Sequence, residues 1–567
     1  MKFDEVLSDI GEFGTYQRRL YVLVCLPTIN CGIFMLISVF LVGNPAHRCA
    51  IPGYINDTYA TEDDDHAHSV LINRTIPTLG SGDDMNYDQC HLLNASNYDN
   101  DNRPVNASEY ACKNWVYDKT EFEETLVSEL NLVCDESIWQ SVVKMMFFGG
   151  VLAGAFVFGM ISDRIGRKKT LYISFILMFV TSVAQSWAPT LFVYILLRFL
   201  VGAAVSGVFL TAYVIGMEMV GPSMRLWTGT IIHATFSIGQ VILAGVGYYI
   251  RDWRKLELVL AIPNVVYLTY YWLIPESPRW LLSKGRTEEA EDVLRSAAKV
   301  NIASVPQGRF LDNYEVPKDT GEFWRLFGSR KLTIRTLVIF FNWMVVAMVY
   351  YGLSLNAANL GADVYLNFLL LSLCEFPACV LCILLFNRIG RKKLHFLFMI
   401  TGGIACIGTL FTTVFGKDLP DVTIALALIG KTGASGAFAS IYVFSAELYP
   451  TTVRNAGIGA SSCCARIGAM AAPYISDLNL VVEGNMGHAL PMVVFGGASI
   501  VAGILTLLLP ETVNRPLPET IEDAEQFDMT LVESKPEEKT RLLEGYSDPS
   551  HYNICKAKYN VYKCIDK

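Results

Sequence analysis

The sequence predicts an all-α membrane protein of twelve transmembrane helices in two pseudo-symmetric six-helix halves, with a large extracellular loop after the first span. Three observations predict it. Hydrophobic residues are 52% of the 567 and charged residues 17%, with a mean hydropathy of +0.36, too apolar for a soluble chain of this length. Apolar runs of about 20 residues, the length that a bilayer core of about 30 Å requires, recur along the chain. Short charged landmarks also appear twice, in the same order.

The expected spans are 20–42, 138–161, 171–188, 190–217, 226–250, 255–275, 334–355, 364–387, 394–415, 421–446, 455–480 and 489–510. They leave an N-terminal segment 1–19, a first half 20–275 that includes the loop 43–137, a connecting loop 276–333, a second half 334–510 and a tail 511–567. The opening MKFDEVLSDIGEFGTYQRR is polar and acidic, unlike a cleavable leader, so the first span is expected to serve as its own insertion signal.

Charge orients the chain. The short loops after spans two and eight both contain GRKK, and short basic loops stay cytoplasmic. Both termini are therefore expected in the cytoplasm and 43–137 outside, at the plasma membrane. Asn56, Asn73, Asn94 and Asn106 of that loop each open an N-x-Ser/Thr glycosylation sequence. Cys49, Cys90, Cys112 and Cys134 form an even set in an oxidising compartment, which predicts two disulfides with three pairings open. His66 and His68 in DDDHAH belong to a solvated acidic loop rather than a metal site, since no compact Cys/His spacing accompanies them.

The landmarks define a duplication. DRIGRKK at 163–169 returns as NRIGRKK at 387–393, EMVGPSMR at 218–225 as ELYPTTVR at 447–454, and PESPRW at 275–280 as PETVNR at 510–515. Two bundles of this kind rock about a central site and expose it to each face in turn. Asp163, Arg164 and Arg167, with Glu218 and Arg225, are candidate gate residues at the cytoplasmic side, and Arg388, Arg391, Glu447 and Arg454 are their copies. The competing view is that these charges only anchor topology.

GMISDRIGRKK resembles the G-x-x-x-D-R-x-G-R-K loop of the major facilitator superfamily. Together with the cysteine-bearing first outer loop, the N-terminal DEVLSDIGEFG, PESPRWL and SAELYPTTVRN, it makes the chain similar to the organic ion branch of solute carrier family 22, notably insect organic cation and carcinine transporter-like members. The resemblance runs from Met1 to about Thr520, although GRKK and PESPRWL alone are shared with sugar porters. It implies the major facilitator fold, a small helical bundle in 276–333, and half-gates of unequal strength, because Asn387 stands where the first half has Asp163.

Ionisable residues deep in apolar spans are functional candidates by default. Glu375, in LSLCEFPAC, matches the E-F-P glutamate that faces the path in cation-transporting relatives, which implies pairing with a substrate ammonium; a structural ion pair is the alternative. Arg466, in SSCCARIGAM, matches a position where anion and carnitine carriers have arginine and cation-specific ones aspartate. It either takes a substrate carboxylate or neutralises Glu375 in the empty site, and a zwitterion satisfies both charges. Lys431 is a further substrate-binding candidate, expected at the start of span ten with snorkelling or structural pairing as the alternative, and Arg198 is expected to snorkel or pair structurally rather than meet substrate. His233 matches a path-lining position, while Tyr350, Tyr351, Trp343 and Tyr442 are candidates for an aromatic wall around an organic cation.

No Walker loop, GxSxG or HExxH is present, so no enzyme, cofactor or metal is expected, nor a nucleic-acid partner. The expected function is alternating-access transport of small organic cations or zwitterions of biogenic amine, carcinine or carnitine type. The rivals are an organic anion carrier, favoured by Arg466, and a non-transporting receptor on the same scaffold. Uniport, exchange, ion coupling and a homo-oligomer are all compatible with the sequence. EKTRLL at 538–543 matches a dileucine sorting signal, a pattern that chance produces often.

Overall fold

A run of apolar residues inside a bilayer must satisfy its backbone N–H and C=O groups within itself, and each run here becomes a helix. The computed structural model describes residues 3–54, 57–59, 66–79, 86–94, 97–98, 104–105, 107–303, 323–360, 363–415, 420–450, 453–482, 485–513, 515, 518 and 521–525. Asn56, Asn106 and the dileucine match lie outside them.

The first half comprises α1 (Thr15–Leu41), α2 (Ile138–Ile165), α3 (Arg167–Gln185), α4 (Leu191–Glu218), α5 (Arg225–Tyr249) and α6 (Trp253–Leu273). The second comprises α7 (Arg330–Leu355), α8 (Val364–Leu373 and Glu375–Ile389), α9 (Arg391–Phe415), α10 (Pro420–Leu448), α11 (Arg454–Ser476) and α12 (Asn485–Thr506). Ten of the helices pass as spans on length and hydropathy. The opening RKK dilutes α3, and the small and polar residues around Arg466 dilute α11.

The helices approach closely where glycine removes the side chain. A Cβ on Gly150 of α2 would sit 1.9 Å from the Phe199 carbonyl oxygen of α4, and one on Gly202 would sit 2.2 Å from that of Phe147. The break in α8 follows from Pro377, which has no N–H to give to the preceding turn, so the helix restarts at Glu375.

The halves meet along α2 against α11 and α5 against α8, two interfaces related by the duplication itself. The face carrying 43–137 is called here the capped face, and the face carrying the two GRKK loops the basic face. Contacts between the halves gather at the capped face and at mid-depth. They include Lys144 with Asp477, Phe40 stacked on Tyr365 at 5.2 Å, Gln240 with Tyr350 and Ser237 with Glu375.

On the capped face, strand β1 (His47–Cys49) pairs antiparallel with β2 (Trp115–Tyr117), around a small core of Ile51, Ile72, Ile76 and Leu92. Cys49 bonds Cys112, and Cys90 bonds Cys134. Asn73 and Asn94 are exposed. His68 is turned inward: its Nε2 lies 2.9 Å from Asp57, which Arg48 also holds, and Tyr54 stacks on its ring at 4.9 Å. On the basic face, helices Pro278–Ser283 and Thr287–Asn301 pack with a third helix, Phe3–Ile10. That third helix was legible in the sequence, since Phe3, Val6, Leu7 and Ile10 repeat at 3, 4 and 7.

Candidate functional site

Helical spacing assembles the site. His233, Ser237 and Gln240 share one face of α5, Trp343 and Tyr350 one face of α7, and Lys431, Phe438 and Tyr442 one face of α10. At mid-depth these faces meet Glu375, placed at the restart of α8.

Glu375 is 5% exposed and holds three partners among the described residues. Lys431 Nζ lies 3.0 Å from Oε1, the Tyr350 hydroxyl donates to Oε1 at 2.5 Å, and Ser237 donates to Oε2. Gln240 donates to the Tyr350 hydroxyl at 3.0 Å, placing a second residue of α5 in the same network. This corrects two expectations. The ion-pair partner of Glu375 is Lys431, not Arg466, and Lys431 does not sit at a span end but is 0% exposed, twelve residues into α10. Burial forces this pairing, because neither charge is tolerable alone in a low-dielectric interior.

Arg466 lies beside Tyr351 and Tyr442 instead, and its Nε has no hydrogen-bond partner among the described residues. The four candidate wall residues join through Phe438 into one run of ring contacts. Trp343 meets Tyr442 edge-on at 4.4 Å, Tyr442 meets Phe438 at 5.7 Å, Phe438 meets Tyr350 at 5.3 Å, and Tyr350 meets Tyr351 at 5.0 Å. His233 closes the ring from the other half, 5.6 Å from Tyr442. Ser237, Gln240 and Phe438 were missed by sequence reasoning; the first two were signalled by polar residues four and seven after His233. Arg198 gives hydrogen bonds to Ser38 and the Phe34 carbonyl and lies 4.2 Å from the Phe147 ring centroid, all within the first half.

The charges expected to gate are gathered inside each half. Arg167 pairs with Asp163 at 2.7 Å and Glu218 at 3.2 Å, and Arg391 pairs with Glu447 at 3.0 Å. Each GRKK turn is also held by an acid that the sequence reading did not single out. Glu276 accepts from the N–H of Arg167 at 2.8 Å, and Glu511 from that of Arg391 at 2.8 Å, each carboxylate resting on a helix N-terminus. Arg454 donates to the Tyr449 carbonyl at 3.2 Å, while Arg164 and Arg388 are exposed. The side chains of Arg225 and Asn387 lie outside the described residues.

With this geometry in place, comparison with known proteins decides the family. The family model "Sugar (and other) transporter" matches residues 90–524. An organic cation transporter protein of Drosophila melanogaster is 39% identical over 96% of this chain and 100% of its own length. Human organic cation/carnitine transporter 2 is 33% identical over 97% and 98%, and human solute carrier family 22 member 13 is 34% identical over 92% and 93%. The chain belongs to solute carrier family 22. The structure resembles the E. coli xylose transporter XylE in its partially occluded inward-open conformation, with a TM-score of 0.59 at 14% identity, covering 89% of this chain and all of that one. This member of the family is thus a multi-pass transporter of the major facilitator fold, and its buried charge set lies where its two halves meet.

Proposed function

We propose that this transporter carries small organic cations or zwitterions of biogenic amine, carcinine or carnitine type across the plasma membrane, with the basic face and both termini in the cytoplasm. One observation carries the reading: a buried carboxylate, Glu375, at Tyr350, and an arginine, Arg466, at Tyr351 and Tyr442, with an Nε unpartnered among the described residues, stand against one aromatic wall. Ring faces and a carboxylate suit an ammonium, and the planar guanidinium suits a carboxylate. The names of the fly and human relatives support the same class.

Alternating access follows from where the halves touch. Their contacts at the capped face and mid-depth describe a carrier closed on the capped side, and breaking them would let the halves rock the other way. A cation moving inward gains about 2.3 kcal/mol per charge per 100 mV, which drives accumulation without a coupled ion. The second reading, an organic anion carrier, is favoured by the free Arg466 nitrogen together with the internal neutralisation of Glu375 by Lys431.

Uptake of labelled tetraethylammonium, carnitine and glutarate, with and without Na⁺ and at two membrane potentials, tests this. Tetraethylammonium or carnitine uptake that falls on depolarisation supports the proposal, and uptake confined to glutarate selects the anion carrier. Within the site, Glu375→Gln is expected to weaken tetraethylammonium uptake far more than glutarate uptake, and Arg466→Ala to do the reverse. Equal losses in both variants would place the site elsewhere.

A further inference from the structure

We propose that Lys431 is a tethered stand-in for the substrate ammonium, occupying the Glu375–Tyr350 cation site of the empty carrier until an incoming ammonium displaces it. The inference rests on the reading that this carrier accepts ammonium-bearing substrates. Its basis is the company that the lysine keeps. Lys431 Nζ lies 3.0 Å from Glu375 Oε1 and 3.4 Å from the centroid of the Tyr350 ring. A carboxylate oxygen joined to an aromatic face is the recognition chemistry of an organic ammonium, and here an amine of the chain itself already holds both.

Displacement leaves neither side chain without hydrogen-bond partners. Nζ has a second seat on α7, with the Ser354 hydroxyl at 2.7 Å and the Tyr350 carbonyl at 3.3 Å, so it keeps two oxygen acceptors after letting go of Glu375. Glu375 keeps the donors Ser237 and Tyr350 and exchanges one ammonium for another. The exchange also reaches both halves of the molecule, because Ser237 belongs to α5 and Lys431 to α10. A lysine that only braced α10 against α8 would need no such second seat.

The internal competitor weakens every ammonium-bearing ligand and leaves a purely anionic one untouched. A charged hydrogen bond of ordinary strength corresponds to about tenfold in affinity. Lys431→Met is therefore expected to lower KM for tetraethylammonium and carnitine about tenfold while leaving glutarate without any gain. Ser354→Ala, which removes the second seat, is expected to raise KM for the same two cations. Surface delivery is measured by biotinylation, and Kd for tetraethylammonium is measured by calorimetry on the purified full chain, so that poor delivery of a variant does not mask its affinity. An unchanged or weaker tetraethylammonium affinity in Lys431→Met overturns the inference while leaving the carrier reading in place. Failure of the wild-type chain to bind or move either ammonium probe overturns both.

Discussion

Lys144 of α2 and Asp477 at the end of α11 form an ion pair across the two halves, with Nζ 2.8 Å from Oδ1 and the Ser141 hydroxyl 2.6 Å from Oδ2. The side chains are only 8% and 11% exposed, so solvent screens the pair weakly. It closes the capped face, and a conformation open to that face must break it.

Lys144→Met leaves the Asp477 carboxylate without its cation in the closed state, and removing one partner of a buried pair costs about 3–5 kcal/mol. The population is expected to shift toward the conformation open at the capped face. Labelling of a cysteine introduced at Ser141 by an impermeant thiol reagent should rise in Lys144→Met relative to the Ser141→Cys background. The charge-swapped pair Lys144→Asp with Asp477→Lys should return it toward the background. Labelling that does not change would show that the ion pair does not hold this face shut.

Asp163 is 75% exposed on its side chain and meets Arg167 only as an i, i+4 surface pair, worth at most about 1 kcal/mol. Asp163→Asn should leave surface delivery intact and slow turnover, because Arg167 also has to keep its contact with Glu218 as the half moves. Loss of delivery alone, with normal turnover per molecule at the surface, would favour the topology-anchor view.

Gly166 and Gly390 start the two GRKK turns at φ of 107° and 97°, where a side chain is strained. A Cβ would also fall 2.2 Å from a Glu276 oxygen and 2.6 Å from a Glu511 oxygen. Gly166→Ala and Gly390→Ala should each destabilise the protein by about 1–3 kcal/mol. The melting temperature of purified protein should drop in both; a drop in neither would mean that the acids shift freely.

Tyr350→Phe keeps the ring and removes one donor to Glu375, a change of about 1 kcal/mol. KM for tetraethylammonium should rise about fivefold with surface delivery unaltered. A KM equal to that of the wild type would assign Tyr350 to packing.

Burial alone would raise the Asp57 carboxyl, but hydrogen bonds from Arg48, the Ile51 N–H and His68 outweigh it and hold the group below the usual carboxylate range. A depressed folded-state pKa gives stability that is complete above the unfolded value of about 3.9 and is lost as pH falls through the folded one. Resistance of the loop to proteolysis should therefore persist to about pH 4 and decline below it, whereas Asp57→Asn should be sensitive already at neutral pH. Equal resistance of the two proteins at pH 7 would show that Asp57 is not what orders this segment.

Hydrophobic run length and the repeated DRIGRKK, EMVGPSMR and PESPRW landmarks were enough to identify twelve helices, two halves and the depth of Glu375 and Arg466, because a bilayer leaves an apolar run almost no alternative to a helix. The amphipathic spacing of Phe3, Val6, Leu7 and Ile10, and of His233, Ser237 and Gln240, is present in the sequence but was not singled out there. Partner choice was not legible. That Glu375 takes Lys431 rather than Arg466, that Arg167 and Arg391 bind acids of their own half, and that Lys144 reaches Asp477 across the interface all depend on how helices distant in sequence face one another. A buried charge selects whichever opposite charge the packing brings within about 4 Å, and that distance exists only in the tertiary structure.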